Sequence, residues 1–255
     1  MPLLAGIVFL AASCKPPTEE DRFRLSLGRP DVDAVREHLD AGKDAKHVFE
    51  DGSQPLHQVA KAKAGKAEVV RLLVERGADV HATDGDGKTA WQVRWGEPKR
   101  KLFDNDAAIL VALLDAGAKP DIPTPEDGRT LLHEVARRVP SVRLVSLLVD
   151  EHGQKVDAPD DFGWTPLHVA VYEHNVEAAT GLLEKGADAN AETTKILGHQ
   201  SKRRGETYWS WKYEAGSRPL DVYRSGSRSR GEADVRKVVE QYGGTKNPNV
   251  DNRRR

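Results

Sequence analysis

The chain has 255 residues, of which 31 % are charged and 38 % hydrophobic, with a formal net charge of −1. Such a composition is soluble and surface-rich, with enough Leu, Val and Ala for the thin core of an elongated array. Near-neutrality makes no electrostatic case for nucleic acid as a partner, and one cysteine excludes an internal disulfide framework. The charge is unevenly spread. Residues 195–255 hold 15 Lys and Arg against 7 Asp and Glu, and the remainder holds 24 against 33.

The chain opens on an apolar run, Leu3 to Ala12, that closes in Ala11-Ala12-Ser13-Cys14. The run is shorter than the ~18 residues a membrane-spanning helix needs and has the length of a signal-peptide core. Small residues before the only thiol resemble the lipobox of bacterial lipoproteins. The resemblance implies cleavage before Cys14, a lipid on Cys14, and an envelope location. Two features depart from it: no Lys or Arg precedes the run, and Ala11 stands where that family prefers Leu. Residues 1–13 are thus expected as signal peptide and 14–20 as a lipidated tether. Membrane contact would run through the anchor alone. The other reading is an apolar N-terminal element of a cytosolic protein.

A tetrapeptide then recurs: Gln54-Pro55-Leu56-His57, Thr89-Ala90-Trp91-Gln92, Thr130-Leu131-Leu132-His133, Thr165-Pro166-Leu167-His168 and Arg218-Pro219-Leu220-Asp221. Thr before Pro offers an N-cap oxygen and a proline at the first helical position, so a short helix starts at each copy. Between copies, Val69, Leu72 and Leu73, then Leu144, Leu147 and Leu148, then Val176, Ala179, Leu182 and Leu183 follow the i, i+3, i+4 spacing of an amphipathic helix. Gly77-Ala78, Gly117-Ala118, Gly153 and Gly186-Ala187 end those second helices, where a left-handed residue is favoured.

These residues resemble the ankyrin repeat, whose signature includes Thr-Pro-Leu-His. The fullest copy runs from Asp161 to Asn190. The resemblance covers about residues 19–245. It implies an all-α repeat solenoid of about six units, each a helix pair with a β-hairpin finger, with degenerate end units that cap the core. It also implies that His57, His133 and His168 tie turns together by hydrogen bonds. The repeat domain is expected over 21–245, followed by a disordered basic tail at 246–255.

Two insertions break the period, and insertions map to exposed loops. One falls near Gly96–Lys101 and reads as a solvated loop. The other, about 191–217, lengthens the last finger and includes Lys202-Arg203-Arg204-Gly205-Glu206-Thr207-Tyr208-Trp209-Ser210-Trp211-Lys212-Tyr213. Aromatics favour strands, and alternation puts Trp209, Trp211 and Tyr213 in one row of an elongated hairpin. That row either meets a partner or packs back on the last helices.

Catalytic patterns fail on inspection. His133-Glu134 lacks a second zinc ligand at position 137, which is Arg, and Gly87-Lys88-Thr89 lacks the first glycine of a phosphate loop. The acid pairs Asp160-Asp161 and Glu126-Asp127 are expected on exposed tips, away from any environment that would split their pKa values. No metal and no cofactor is expected. The function expected is a binding module of the bacterial envelope, gripping another protein, such as an envelope enzyme or toxin, as an inhibitor or immunity protein. Its expected contacts are Arg203, Arg204, Tyr208, Trp209, Trp211, Tyr213, Asp161, Phe162 and Trp164, on a monomer without nucleic acid. A cytosolic scaffold, a nucleic-acid binder and an enzyme with an unrecognised site are the alternatives.

Overall fold

A computed structural model describes residues 16–29, 31–63, 66–96, 102, 104–121, 127–195, 197–203, 206–222 and 232–250. Helix pairs follow one another along the chain: α1 (Glu19–Gly28) and α2 (Val32–Asp40), α3 (Pro55–Lys61) and α4 (Ala67–Glu75), α5 (Ala90–Trp95) and α6 (Asp104–Asp115). Then come α7 (Leu131–Arg138) and α8 (Val142–Asp150), and α9 (Pro166–Tyr172) and α10 (Val176–Glu184). A two-stranded ribbon, β1 (Leu197–Arg203) and β2 (Glu206–Tyr213), precedes the last pair, a 3₁₀ turn (Pro219–Asp221) and α11 (Glu232–Gln241).

Helices α3, α5, α7 and α9 and the 3₁₀ turn each start at a tetrapeptide, and the second helices bury the stripes that the 3.6-residue period marks. Val69, Leu72 and Leu73 of α4 and Leu144, Leu147 and Leu148 of α8 are buried. Outer helices pack in a continuous row, α2 on α4, α4 on α6, α6 on α8, α8 on α10 and α10 on α11. The inner row pairs α1 with α3, α3 with α5 and α7 with α9. One core cluster runs from Phe23 to Val239. Removing a Leu or Val side chain from water contributes about 1.5–3 kcal/mol, so stacking supplies what no single unit could.

The packed chain continues beyond the expected boundary at 245. Asn247 is buried, donates its side-chain amide to the Gly216 carbonyl (2.9 Å) and gives its backbone N–H to Asp221 (2.9 Å). Thr245 donates its N–H to Asn190 (2.9 Å). These bonds tie residues 245–247 to the base of the last finger and to the 3₁₀ turn.

Candidate functional site

The fourth position of the tetrapeptide holds the fingers to the helices. His57, His133 and His168 each accept the N–H of their own N-cap residue at Nδ1, from Gln54 (3.1 Å), Thr130 (3.0 Å) and Thr165 (3.1 Å). Their Nε2 then donates onward to the next finger: to Lys88 (3.0 Å) and Ala82 (3.1 Å), to Trp164 (2.8 Å), and to Ser217 (3.1 Å). A neutral imidazole alone combines one acceptor with one donor in this way. Burial accordingly pushes all three below the ordinary histidine range, with His168 down to about 4. The expected Thr N-cap role holds at Thr89, whose hydroxyl accepts from the Gln92 N–H (3.3 Å). At Thr130 and Thr165 the hydroxyl turns to the imidazole instead (2.9 and 3.0 Å).

The two departures from histidine have separate causes. Gln92 accepts the Thr89 N–H (3.0 Å), serving its own helix. Asp221, in the last unit, accepts the N–H groups of Arg218 (2.9 Å) and Asn247 (2.9 Å). A carboxylate suits that place because its outer partner is a donor rather than a carbonyl.

A second ladder closes the helix ends. Arg94 is fully buried, donates to the carbonyls of Ala60 (3.1 Å) and Ala62 (2.6 Å), and pairs with Asp106 (2.8 Å). Arg138 donates to the Trp95 carbonyl (2.7 Å) and lies over the Trp95 ring, 4.6 Å from its centroid. Asn175 donates to Ala136 and Val139 (both 2.9 Å). Each side chain takes C-terminal carbonyls that the preceding inner helix leaves without an internal donor.

The finger turns put one of the paired acids, Asp160, and the corresponding Asp84 of an earlier finger to structural use. Asp160 accepts the N–H groups of Phe162 and Trp164 (both 2.9 Å), and Asp84 those of Asp86 and Lys88 (both 3.0 Å). Both are buried, so Asp160 is not displayed on a tip as expected. Asp161 does stand exposed, its N–H bound to the Asp127 carbonyl (3.1 Å).

The expected contact residues divide into three groups. Cys14 and Arg204 lie outside the described residues. Arg203, Tyr208, Trp209 and Trp211 lie in the ribbon strands, and Phe162 is half-buried against the core. Trp164 is a correction: it is 3 % exposed and sits among the rings of Tyr213 (5.5 Å), Tyr172 (5.6 Å) and His168 (5.9 Å). The indole follows the Asp160-capped turn inward, so it anchors the long finger rather than facing a partner. Tyr213 is likewise nearly buried, at 9 %. Tyr172, half-buried at the end of α9, was not singled out from sequence. It occupies an ordinary helix position, and only its meeting with Tyr213, 6.0 Å away, gives it meaning.

The hairpin exists as expected, with a different register. Leu197 pairs with Tyr213 and His199 with Trp211, but Gln200 pairs with Trp209, so Ser210 is an extra residue. A bulge of this kind shifts the alternation by one. Trp211 and Tyr213 therefore share one phase of the pleat and Trp209 has the other, in place of a single row.

Hollows lie beside the inner helices. One, about 490 Å³, is lined by Lys61, Asp86, Lys88, Val93, Trp95 and Asp121. Another, about 650 Å³, adjoins Arg24, Leu25 and Gln58. Among the described residues, no three His, Cys, Asp or Glu gather as metal ligands, and no helix is long and apolar enough to cross a membrane.

A family model described as ankyrin repeats (three copies) matches residues 102–193, and one for a single ankyrin repeat matches 51–85. The chain is 30 % identical over 160 residues to ankyrin repeat and SAM domain-containing protein 6 of Danio rerio, covering 62 % of this chain and 20 % of that protein. It is 25 % identical over 178 residues to the nuclear factor NF-kappa-B p105 subunit of Gallus gallus, covering 69 % and 17 %. It thus spans about a fifth of the length of these relatives. The human ASB11 ankyrin repeat domain superposes with a TM-score of 0.50 at 19 % identity, over 88 % of this chain and 84 % of that one. Ankyrin-repeat proteins are in general protein-interaction modules and not enzymes. Residues 51–85 and 102–193 are ankyrin repeats, and the chain folds as an ankyrin-repeat solenoid.

Proposed function

We propose that this solenoid is a partner-binding module of the bacterial cell envelope, tethered by a lipid on Cys14 and neutralising an envelope enzyme or toxin. The observation that carries the binding reading is the contrast between its body and its last finger. Buried polar side chains of the body, His57, His133, His168, Arg94, Arg138 and Asn175 among them, are held in the two ladders, whereas among the described residues no helix packs extensively against the ribbon strands. Tyr213, Trp164 and Tyr172 hold the ribbon by its root, leaving the strands as a surface for recognition. Tyrosine, tryptophan and arginine dominate binding energy because they bury large areas at modest entropic cost.

The tether rests on Ala11-Ala12-Ser13-Cys14 behind its apolar run. Palmitate labelling and globomycin-sensitive processing test it. Both are expected in the native chain and lost in Cys14→Ser. An unlabelled, unprocessed soluble protein contradicts the anchor and returns the chain to a cytosolic scaffold. For the partner, pull-down from solubilised envelopes should recover a protein that the combined Trp209→Ala, Trp211→Ala chain does not. Equal recovery removes the finger from the site.

A further inference from the structure

The units of this array are not joined equally. A stacked array is held by its units and by the interfaces between neighbours, so it gives way first at the interface with the weakest ties. Three ties recur: outer helix on outer helix, inner helix on inner helix, and a histidine reaching the finger of the next unit. Between the second unit (α3, α4) and the third (α5, α6), α4 packs on α6, α3 packs on α5, and His57 donates to the Lys88 carbonyl (3.0 Å). Between the fourth (α7, α8) and the fifth (α9, α10), α8 packs on α10, α7 packs on α9, and His133 donates to the Trp164 carbonyl (2.8 Å). The last interface repeats the pattern, with α10 on α11, α9 on the 3₁₀ turn, and His168 donating to the Ser217 carbonyl (3.1 Å).

Between the third and fourth units the outer tie alone keeps this form. Helix α6 packs on α8, but α5 and α7 make no extensive contact. In the register of the other joints, the acceptor is the carbonyl just before the next tetrapeptide, which here belongs to Arg129. Gln92 stands at the histidine position with its oxygen on the Thr89 N–H (3.0 Å), and among the described residues its amide nitrogen bonds no carbonyl across the interface. Arg138 spans the inner side. Its buried side chain donates to the Trp95 carbonyl (2.7 Å) and lies over the Trp95 ring, and its own carbonyl accepts the Leu102 N–H (3.1 Å). A long side chain can follow its partner over a range of separations, whereas interlocked helix faces cannot. There is also room to move. The hollow of about 490 Å³ lies against Gln92, Val93 and Trp95, bounded by Asp86 of one finger and Asp121 of the next.

We infer that the solenoid is hinged between its third and fourth units. The packed outer helices α6 and α8 form the pivot, the inner side between α5 and α7 opens and closes, and Arg138 on Trp95 is the latch. Packed bodies that keep one contact and loosen another move in this way. The hinge sets the angle between the inner faces of α1, α3 and α5 and those of α7 and α9. It depends neither on the Cys14 tether nor on the last finger. With packed helix rows about 10 Å apart, a bend of about 20° moves the inner side by about 3 Å and leaves the outer side nearly fixed.

Double electron–electron resonance on the full chain tests this, in a Cys14→Ser background so that only chosen sites carry spin labels. One pair, Lys61→Cys with Glu173→Cys, lies at the ends of inner helices; the other, Glu68→Cys with Glu177→Cys, lies on outer helices. Both run from the second unit to the fifth. The inner pair should give a distance distribution broader than the outer pair's by about 3 Å, the displacement that the bend implies. Gln92→His supplies the missing donor towards Arg129 and should narrow the inner distribution. Arg138→Ala releases the latch and should broaden it, with the outer pair unchanged in both variants. Should Arg138→Ala fail to fold, the unlatched comparison rests on Gln92→His and on the two pairs in the otherwise unaltered chain. Equal widths for the two pairs would overturn the inference, and so would an inner width that no folded variant moves.

Discussion

In the fifth unit, His168 joins its own helix start to the base of the next finger through neutral hydrogen bonds. In the third unit, Gln92 stops at its own helix, and the helix-end ladder is built from buried cations: Arg94 reaches α3 and Asp106, and Arg138 reaches back to Trp95. Both units have the same two-helix plan. The difference teaches that the two joints are separable: the fifth unit has its histidine joint and also Asn175 on the Ala136 and Val139 carbonyls, whereas the third has only a local Gln92 contact at the histidine position and builds its helix-end joint from buried charge. The third unit is also where the chain departs from its period, at the insertion after Gly96, and Leu102 returns it to the core by donating its N–H to Arg138 (3.1 Å).

The comparison is broken most severely at the buried ion pair. Asp106→Ala deprives Arg94 of this carboxylate in a dry site, and such a loss costs about 3–5 kcal/mol. Urea unfolding at neutral pH measures it, and a cost no larger than that of a surface ion pair would mean that the third unit does not depend on charge. Leu167→Ala, in the fully buried centre of the fifth unit, is expected to cost about 2–5 kcal/mol, as a cavity in a regular core does.

Acid separates the two units by mechanism. His168 is neutral when folded, with a pKa of about 4 against an ordinary value of 6.5. Its contribution is complete above pH 6.5 and is lost as pH falls toward 4, because the unfolded chain takes the proton first. The shift corresponds to about 3 kcal/mol. His168→Gln keeps the acceptor and should flatten that part of the stability–pH curve. An unchanged slope between pH 6.5 and 4 would assign the effect elsewhere.

Much of this was legible locally. The tetrapeptides mark helix starts because capping and proline geometry act within four residues, and the Val69, Leu72, Leu73 stripe marks a buried face because helical period acts within two turns. What was not legible depends on distant partners. Trp164 looks like an exposed tip until Tyr213, far along the chain, folds back onto it. Ser210 gives no sign of being an extra residue, since the bulge is a property of the pair of strands. Arg94 reads as a surface charge unless the Ala60 and Ala62 carbonyls are known to lack donors. Asn247 reads as tail until Asp221 is seen to need an N–H.

Smaller effects sharpen the picture. Gly163 has φ +81°, and a Cβ there would collide with the Thr194 backbone, so Gly163→Ala should cost about 1–3 kcal/mol and loosen the finger base. Differential scanning calorimetry reads the loss, and no change would mean that the fingers shift freely. On the outer row, Arg143 pairs with Asp115 at 2.9 Å while largely exposed. Arg143→Ala should change stability by less than about 1 kcal/mol, in contrast to Asp106→Ala.

Hydrogen–deuterium exchange of the full chain, with and without the protein it captures from envelopes, tests the central claim of partner binding through the last finger most directly. The expected result is new protection over 197–213 and along the inner helices α7 and α9, with the outer helices α8 and α10 unchanged. Protection confined to the outer helices, with the ribbon exchanging as fast as before, would contradict it.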